Sequence, residues 1–147
     1  MGRNEKNIPK SRILGVDLLI FVTLGTQDKK FKRLLDAVEN LDIDEKIIAQ
    51  IGSTDYKSEI HKFLPSNEFD KYMKEARIII THAGVGTIIY GLKLNKKMIV
   101  APRLKEYKEH VNDHQLQILE TFAKDGFIIP LKDFSELKNK IKEAEKF

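Results

Sequence analysis

Cysteine is absent from this chain of 147 residues, which excludes a disulfide framework and any chemistry carried out by a thiolate. No apolar run reaches the roughly 20 residues that a membrane-spanning helix needs. The sequence also lacks the G-x-S-x-G turn of serine hydrolases and the lysine-containing phosphate loop of many ATPases. With 41% hydrophobic and 33% charged residues, the composition is that of one globular domain with a real core.

The formal net charge of +4 is modest, and the lysines are spread along the chain. This distribution is typical of a solvated basic surface, and we expect no nucleic-acid partner. Residues 1–17 resemble a flexible leader, and residues 18–147 form the predicted domain. The run Ile13–Leu24 superficially resembles a signal peptide, but Asp17 interrupts it, and cleavage nearby would remove the first predicted strand. We therefore expect a cytoplasmic protein.

Short, continuous apolar runs predict the strands of a sheet that is buried on both faces. The predicted strands are Leu19–Leu24, Lys46–Ile51, Ile60–Leu64, Arg77–Thr81, Met98–Ala101 and Phe127–Ile129. Between them, apolar residues recur with helical spacing and predict the core-facing stripes of four helices. These stripes are Phe31, Leu34, Leu35 and Val38; Phe69, Tyr72, Met73 and Ala76; Leu116, Leu119, Phe122 and Ala123; and Phe134, Leu137, Ile141 and Ala144.

The alternation of strands and helices predicts an α/β fold, a doubly wound parallel sheet of the Rossmann type with right-handed crossovers. If the strand order is 3-2-1-4-5-6, strands one and four lie side by side at the topological switch point. The loops that leave these two strands then meet at one crevice.

Two glycine-rich turns follow predicted strands one and four. The first is Gly25-Thr26-Gln27, and the second is the motif THAGVGT at Thr81–Thr87. A strand, a glycine turn and a helix start bring unpaired backbone N–H groups and the positive end of a helix dipole to one point, which attracts phosphate. The first turn fits an ordinary strand-to-helix connection equally well. In the second, Gly84 and Gly86 remove side chains where a ligand could lie, while His82 either caps the turn or faces the ligand.

A third polar segment, Pro102–Gln115, leaves the carboxyl end of predicted strand five. We expect Asn112 to be the N-cap of the next helix, which places Asp113, His114 and Gln115 in its first turn. Their donors and acceptors would then point at the crevice. A solvated loop is the alternative interpretation.

Other kinds of site fit less well. NAD is disfavoured, because Ile89 stands where a G-x-G-x-x-G motif needs its third glycine and no acidic residue ends strand two. The segment Asp42–Asp44 has a D-x-D metal pattern, but it lies at the end of the sheet opposite the crevice and is interpreted as a solvated turn. His110 and His114 have zinc-like spacing, yet His110 precedes the predicted helix. A metal hydrolase using these two residues and His82 is the weakest alternative.

Three segments carry a family resemblance. FVTLGTQ at Phe21–Gln27, THAGVGT at Thr81–Thr87 and EHVNDHQ at Glu109–Gln115 resemble, in this order, the glycosyltransferase family 28 C-terminal domain. The likeness covers about Leu19 to Ile141. It is nearest to small bacterial polysaccharide-synthesis subunits that pair with a membrane-associated subunit. The catalytic subunit of the eukaryotic dolichol-linked GlcNAc transferase is similar.

The resemblance implies the C-terminal half of a GT-B glycosyltransferase, with a donor site for a UDP-sugar and neither metal nor cofactor. Thr26 and Gln27 would lie at the phosphates, with Gly25 in the same turn, and His114 and Gln115 would meet the sugar hydroxyls. The other implied donor-site residues are Phe63 or Leu64 at the uracil, Gly84, Val85, Gly86 and Thr87 along the diphosphate and ribose, and His82, Arg103 and Asn112. The chain departs from the pattern at Tyr90, where the peptidoglycan GlcNAc transferase has a ribose-binding glutamate, and at Gly91, where a larger residue is usual.

The implied activity is transfer of a hexose, galactose or GlcNAc, from UDP to a lipid-linked acceptor with inversion, in polysaccharide synthesis. No residue of this chain is assigned as the catalytic base. Because the acceptor-side domain is missing from the matched region, we expect a partner subunit to supply acceptor binding and contact with the inner membrane face. The alternative is a non-catalytic subunit that binds a nucleotide-sugar or stabilises its partner.

Overall fold

The computed structural model describes residues 19–24, 31–41, 46–50, 66–104, 106 and 112–145. Its strands are β1 (Leu19–Thr23), β2 (Lys46–Gln50), β3 (Ile78–His82), β4 (Lys97–Ala101) and β5 (Ile129–Pro130). Its helices are α1 (Lys32–Glu39), α2 (Ser66–Glu75), α3 (Val85–Lys93), α4 (His114–Lys124) and α5 (Leu137–Glu145), with a 3₁₀ turn at Phe134–Glu136 before α5. Within these residues, none of the helices combines the length and apolar character needed to cross a membrane.

The five strands form one sheet in the order β2-β1-β3-β4-β5, and all four neighbouring pairs are parallel. Predicted strands one and four, which are β1 and β3, are therefore neighbours as expected. Predicted strand three, Ile60–Leu64, lies outside the described residues. The strand order and the alternation of strands with helices confirm the predicted doubly wound α/β fold.

The last strand differs from its prediction. It spans Ile129–Pro130 rather than Phe127–Ile129, and Phe127 is 51% exposed. Gly126, with φ of 75°, redirects the chain after α4, so the apolar residue that follows it does not enter the sheet. Pro130 is tolerated because β5 is the last strand in the order, where one side of the strand needs no ladder hydrogen bond.

The core has two parts, one on each face of the sheet. Ile20 and Val22 of β1 pack with α1 and α5, whereas Phe21 packs on the opposite face with α2, α3 and α4. This alternation is what parallel strands covered by helices require, since successive side chains point to opposite faces. All four predicted helical stripes lie in these two clusters or pack against them, which confirms the helix predictions.

Helices α2 and α3 are fixed beside each other at the turn between α3 and β4. The Lys96 ammonium donates to the carbonyl oxygens of Lys74 and Ala76, the latter at 2.9 Å, and so caps the end of α2. Partial burial lowers the pKa of the Lys96 amine. Gly91 lets α3 lie close to β4, because a Cβ at this position would overlap with the Met98 thioether. The helix pair that borders the crevice is therefore held at a defined spacing.

Candidate functional site

The carboxyl ends of β1 and β3 lie side by side at the switch point of the sheet. Thr23 pairs in register with Thr81, so the second glycine turn begins directly beside the end of β1 at Leu24. The first glycine turn follows Leu24, but its predicted site residues Gly25, Thr26 and Gln27 lie outside the described residues, as do Phe63 and Leu64. Their roles stay predictions.

Buried hydrogen bonds join three strands at this end of the sheet. The Thr81 hydroxyl donates to the Thr23 carbonyl at 2.8 Å, and the Thr23 hydroxyl donates to Gln50 Oε1 at 2.8 Å. The Leu24 N–H donates to the Gln50 carbonyl at 3.0 Å. Because these groups are buried and paired, they rigidify the floor of the crevice. Sequence reasoning missed Thr23 and Gln50, although a polar residue that ends an apolar strand was a usable signal.

The second glycine turn holds its histidine inside the protein. His82 is the last residue of β3 and is only 5% exposed. Its ring lies against Gly84, where an added Cβ would come within 2.8 Å of Nε2 and closer still to Cε1. Gly84 has an extended backbone with φ of −89°, so the glycine is required by the neighbouring ring rather than by its own dihedral angles. The structure thus explains the glycine at position 84 by the neighbouring His82 ring, whereas the prediction explained it by space for a ligand.

Gly86 and its neighbours form the open part of the site. Outside Gly86 itself, its two chain neighbours and the adjoining helix backbone, no heavy atom of the described residues lies within 4 Å of the position that a Gly86 Cβ would take. Val85 and Ile89 are 42% and 40% exposed on the same side of α3, and Thr87 is half-buried. The N-cap of α3 is Gly84, which has no side chain to pair with the N–H groups of the first turn. An anion would meet these groups and the positive end of the helix dipole there.

Gln115 connects the segment after β4 to the second glycine turn. It is 3% exposed, its Oε1 accepts from the Arg103 N–H at 3.1 Å, and its Nε2 lies 3.3 Å from His82 Nδ1. The backbone donor fixes the orientation of the amide, so Nε2 must donate and His82 Nδ1 must accept. A neutral His82 therefore carries its proton on Nε2. The predicted contact of Gln115 with a sugar stays a prediction, since in this structure the amide is turned inward.

Arg103 completes the same buried network. Its guanidinium donates to the Leu24 carbonyl, and its Cζ lies 5.0 Å from the centre of the Phe31 ring. Leu24 is the residue before the first glycine turn. The structure thus brings three predicted site residues together, His82, Gln115 and Arg103, as a buried support that runs from one glycine turn to the edge of the other.

The start of α4 differs from its prediction by one residue. The helix begins at His114 with Asp113 at the N-cap, so the assignment of Asn112 as N-cap is wrong. Asn112 Oδ1 nevertheless accepts from the His114 N–H at 2.9 Å, because an asparagine two residues ahead can satisfy an end group of the helix as well as an N-cap does. His114 is exposed at this end of the helix.

Metal ligands are not assembled in the described part of the chain. Among those residues, no group of three or more histidine, cysteine, aspartate or glutamate side chains is placed to hold a metal ion. His110 of the zinc-like pair and the segment Asp42–Asp44 lie outside the described residues. Metal independence therefore stays a prediction.

Fold and site together define a class: a Rossmann-like domain with a rigid floor and an open, anion-attracting helix start at its switch point. Comparison with known families identifies one. The chain belongs to the family described as the glycosyltransferase family 28 C-terminal domain, whose model matches residues 19–147. The predicted family resemblance is thereby confirmed.

Two curated relatives are both UDP-N-acetylglucosamine transferase subunit ALG13. The Candida albicans protein is 39% identical over 71 residues, which are 48% of this chain and 23% of the relative. The Debaryomyces hansenii protein is 28% identical over 102 residues, 68% of this chain and 46% of the relative. The chain thus spans about a quarter and about half of the lengths of these relatives.

Solved structures confirm the fold. The glycotransferase of kitacinnamycin superposes with a TM-score of 0.65 at 22% identity, over 98% of this chain and 39% of that chain. The calicheamicin glycosyltransferase CalG4 gives 0.66 at 15% identity, over 87% of this chain and 34% of its own. The solution structure of ALG13 gives 0.63 at 18% identity and is covered over 86% of its length. The fold is that of the C-terminal half of a GT-B glycosyltransferase.

Proposed function

We propose that this chain is the donor-binding subunit of an inverting, metal-independent glycosyltransferase that moves a hexose from a UDP-sugar to a lipid-linked acceptor. The observation that carries the proposal is the open first turn of α3, placed at the switch point of a family 28 domain. In open α/β sheets, ligands bind at this place.

The first turn of α3 suits the diphosphate of the donor. Backbone N–H groups of Val85, Gly86 and Thr87 begin the helix behind a glycine N-cap, where the helix dipole is positive. When the glycosidic bond breaks, negative charge develops on the leaving diphosphate. Preorganised N–H donors stabilise that charge in the transition state, and this stabilisation is the main contribution to catalysis that such a site can make.

The donor and the partner are inferred from the relatives. Both curated relatives are named as subunits of a UDP-N-acetylglucosamine transferase, which supports a UDP-hexose and favours GlcNAc over galactose. Both names also describe a subunit, which supports the presence of a second chain. We infer that a separate membrane-associated subunit supplies the acceptor-binding half and the catalytic base, and holds the complex at the inner membrane face.

Binding of UDP in the presence of EDTA is the first test. The site offers backbone dipoles and hydroxyls rather than the carboxylate cage that a hard divalent cation prefers. Calorimetry should therefore show that UDP and UDP-GlcNAc both bind the purified chain. For each ligand, the affinity should be the same with and without the chelator. Binding that appears only when Mg²⁺ or Mn²⁺ is added would contradict metal independence, and no binding under either condition would contradict the donor site itself.

Sugar transfer should require the second subunit. The purified chain, supplied with radiolabelled UDP-GlcNAc and lipid-linked acceptor, should give no labelled product, because it holds one side of a two-sided cleft. Co-purification with a membrane-associated partner should restore turnover. Robust transfer by the chain alone would overturn the two-subunit arrangement. A co-purified complex that transfers sugar equally well when the UDP site of this chain is disabled would instead support the non-catalytic alternative.

A further inference from the structure

Helices α2 and α3 are joined beside the open turn by a tyrosine and an aspartate. The Tyr90 hydroxyl donates to Asp70 Oδ1 at 2.9 Å in a half-buried contact. The Tyr90 ring also stacks on Phe69, with centroids 6.3 Å apart and an interplanar angle of 25°. The hydrogen bond to Asp70 raises the pKa of the Tyr90 phenol, so the phenol stays protonated and keeps donating at neutral pH. One oxygen of the carboxylate is thereby held in a defined direction.

This pair lies next to the open surface at Gly86. Tyr90 follows Gly86 by four residues, so the two share a face of α3 and are about 6 Å apart along its axis. Helix α2 precedes β3 and runs antiparallel to it, which brings the first turns of α2 to the carboxyl end of the sheet. Asp70 is the fifth residue of α2 and is half-exposed there. Asp70 and Tyr90 therefore lie about one helical turn from Gly86, at the same end of the sheet.

The chemistry of the pair matches a vicinal diol. An ionised carboxylate accepts only, and it accepts from two neighbouring hydroxyl groups through its two oxygens. Among the described residues, the Tyr90 phenol is the hydrogen-bond partner that the structure gives to Asp70, and it uses Oδ1. A nucleoside diphosphate carries such a diol on its ribose, a few bonds from the 5′-phosphate. Tyr90, which holds the carboxylate, lies one helical turn from Gly86, so the carboxylate and the first turn of α3 belong to the same neighbourhood.

We propose that Asp70, oriented by Tyr90, binds the ribose hydroxyls of a nucleoside diphosphate whose phosphates lie at the first turn of α3. The inference rests on the proposed function for the presence of the phosphates, and it adds the residues that recognise the ribose. Acidic side chains serve ribose hydroxyls in the same way in other doubly wound folds. Tyr90 acts as a positioning residue, and Asp70 contacts the ligand.

The direction in which the affinity for UDP changes when the Asp70 charge is removed separates a ribose contact from a purely structural role. A negative carboxylate close to an anionic ligand repels its phosphates, so removal of the charge would by itself strengthen binding. Weaker binding after Asp70→Asn can therefore be explained only by loss of a direct contact or by loss of the fold. Asparagine keeps an oxygen that can accept from Tyr90, so the fold should be retained.

The experiment is calorimetric titration with UDP and with 2′-deoxy-UDP, on the wild-type chain and three variants. The wild type should prefer UDP by about tenfold, the size expected for a hydrogen bond to a charged group. Asp70→Asn should lose this preference by binding UDP as weakly as the deoxy compound, and Tyr90→Phe should reduce it partly. Glu68→Gln removes an exposed carboxylate from the same helix and should leave both affinities unchanged or slightly higher.

The outcomes distinguish the ribose inference from the proposed function. If the wild type binds neither nucleotide, the donor site itself is wrong. If it binds both equally, or if folded Asp70→Asn keeps the full preference, the ribose inference is overturned while the donor site stands. If Asp70→Asn melts well below the wild type, Tyr90→Phe decides, because it removes a single oxygen: an undiminished preference for UDP in that variant overturns the inference.

Discussion

Gly86→Ala should raise the melting temperature of this protein while it weakens the binding of UDP. Alanine is a better helix former than glycine by roughly 0.5–1 kcal/mol, and beyond its chain neighbours and the adjoining helix backbone the added methyl group meets no described atom within 4 Å. For a domain of this size the gain is a rise of about 1–4 °C. The same methyl group would stand where a phosphate approaches the backbone N–H groups, so the affinity for UDP should fall by about tenfold or more.

Gly126→Ala is the matched control for this change. Gly126 has φ of 75° and precedes β5, so it lies at the amino end of the sheet, away from the crevice. Alanine there is strained and should lower the melting temperature, with no change in UDP affinity. The two substitutions are chemically identical and should have opposite signs for stability. If Gly86→Ala binds UDP as the wild type does, the crevice is misplaced, whatever its melting temperature.

Gly84→Ala should instead destabilise the fold. A Cβ at this position overlaps with the imidazole of His82, a rigid ring in a buried place, and overpacking of this kind costs roughly 1–3 kcal/mol. Displacement of the ring also breaks its contact with Gln115. We expect a lower midpoint in urea denaturation and weaker binding of UDP, because the turn that begins α3 must shift.

A double-mutant cycle with His82→Ala tests this cause directly. With the ring removed, the methyl group of Gly84→Ala has room, so its cost in free energy of unfolding should nearly vanish in the His82→Ala background. Lys93→Ala, an exposed change in the same helix, should add independently to either background. Equal costs of Gly84→Ala with and without the ring would show that the crowding has another source.

The fold was predictable because its signals are local and repeated. Apolar stripes at helical spacing and continuous apolar strands specify which faces are buried, and alternation of the two restricts the topology to a parallel, doubly wound sheet. The strand order followed from the choice of a doubly wound sheet, and it agreed with two glycine turns that leave neighbouring strands. The bounds of β5 could not be predicted from the sequence, because the effect of Gly126 on the chain direction depends on how α4 ends.

Within the candidate site, the sequence singled out residues but did not show how their side chains are held. Gly84 and Gly86 look equivalent in the motif, yet one accommodates a ring from its own turn and the other faces open space. Gln115 was expected to point at a ligand because it lies in the first turn of a helix. The donor and the acceptor that hold it inward come from Arg103 and His82, 12 and 33 residues away, and such pairings are set by tertiary structure.

The bond from Arg103 to the Leu24 carbonyl joins residues 79 positions apart, the greatest separation among the side-chain hydrogen bonds described above. Closing a long loop costs chain entropy before the contact contributes enthalpy, so contacts of this kind form after local structure. Strands β1, β2 and β3 all precede residue 83, whereas the buried network at the crevice also needs the segment after β4. We therefore expect the crevice to be completed after these strands, both in folding and during synthesis.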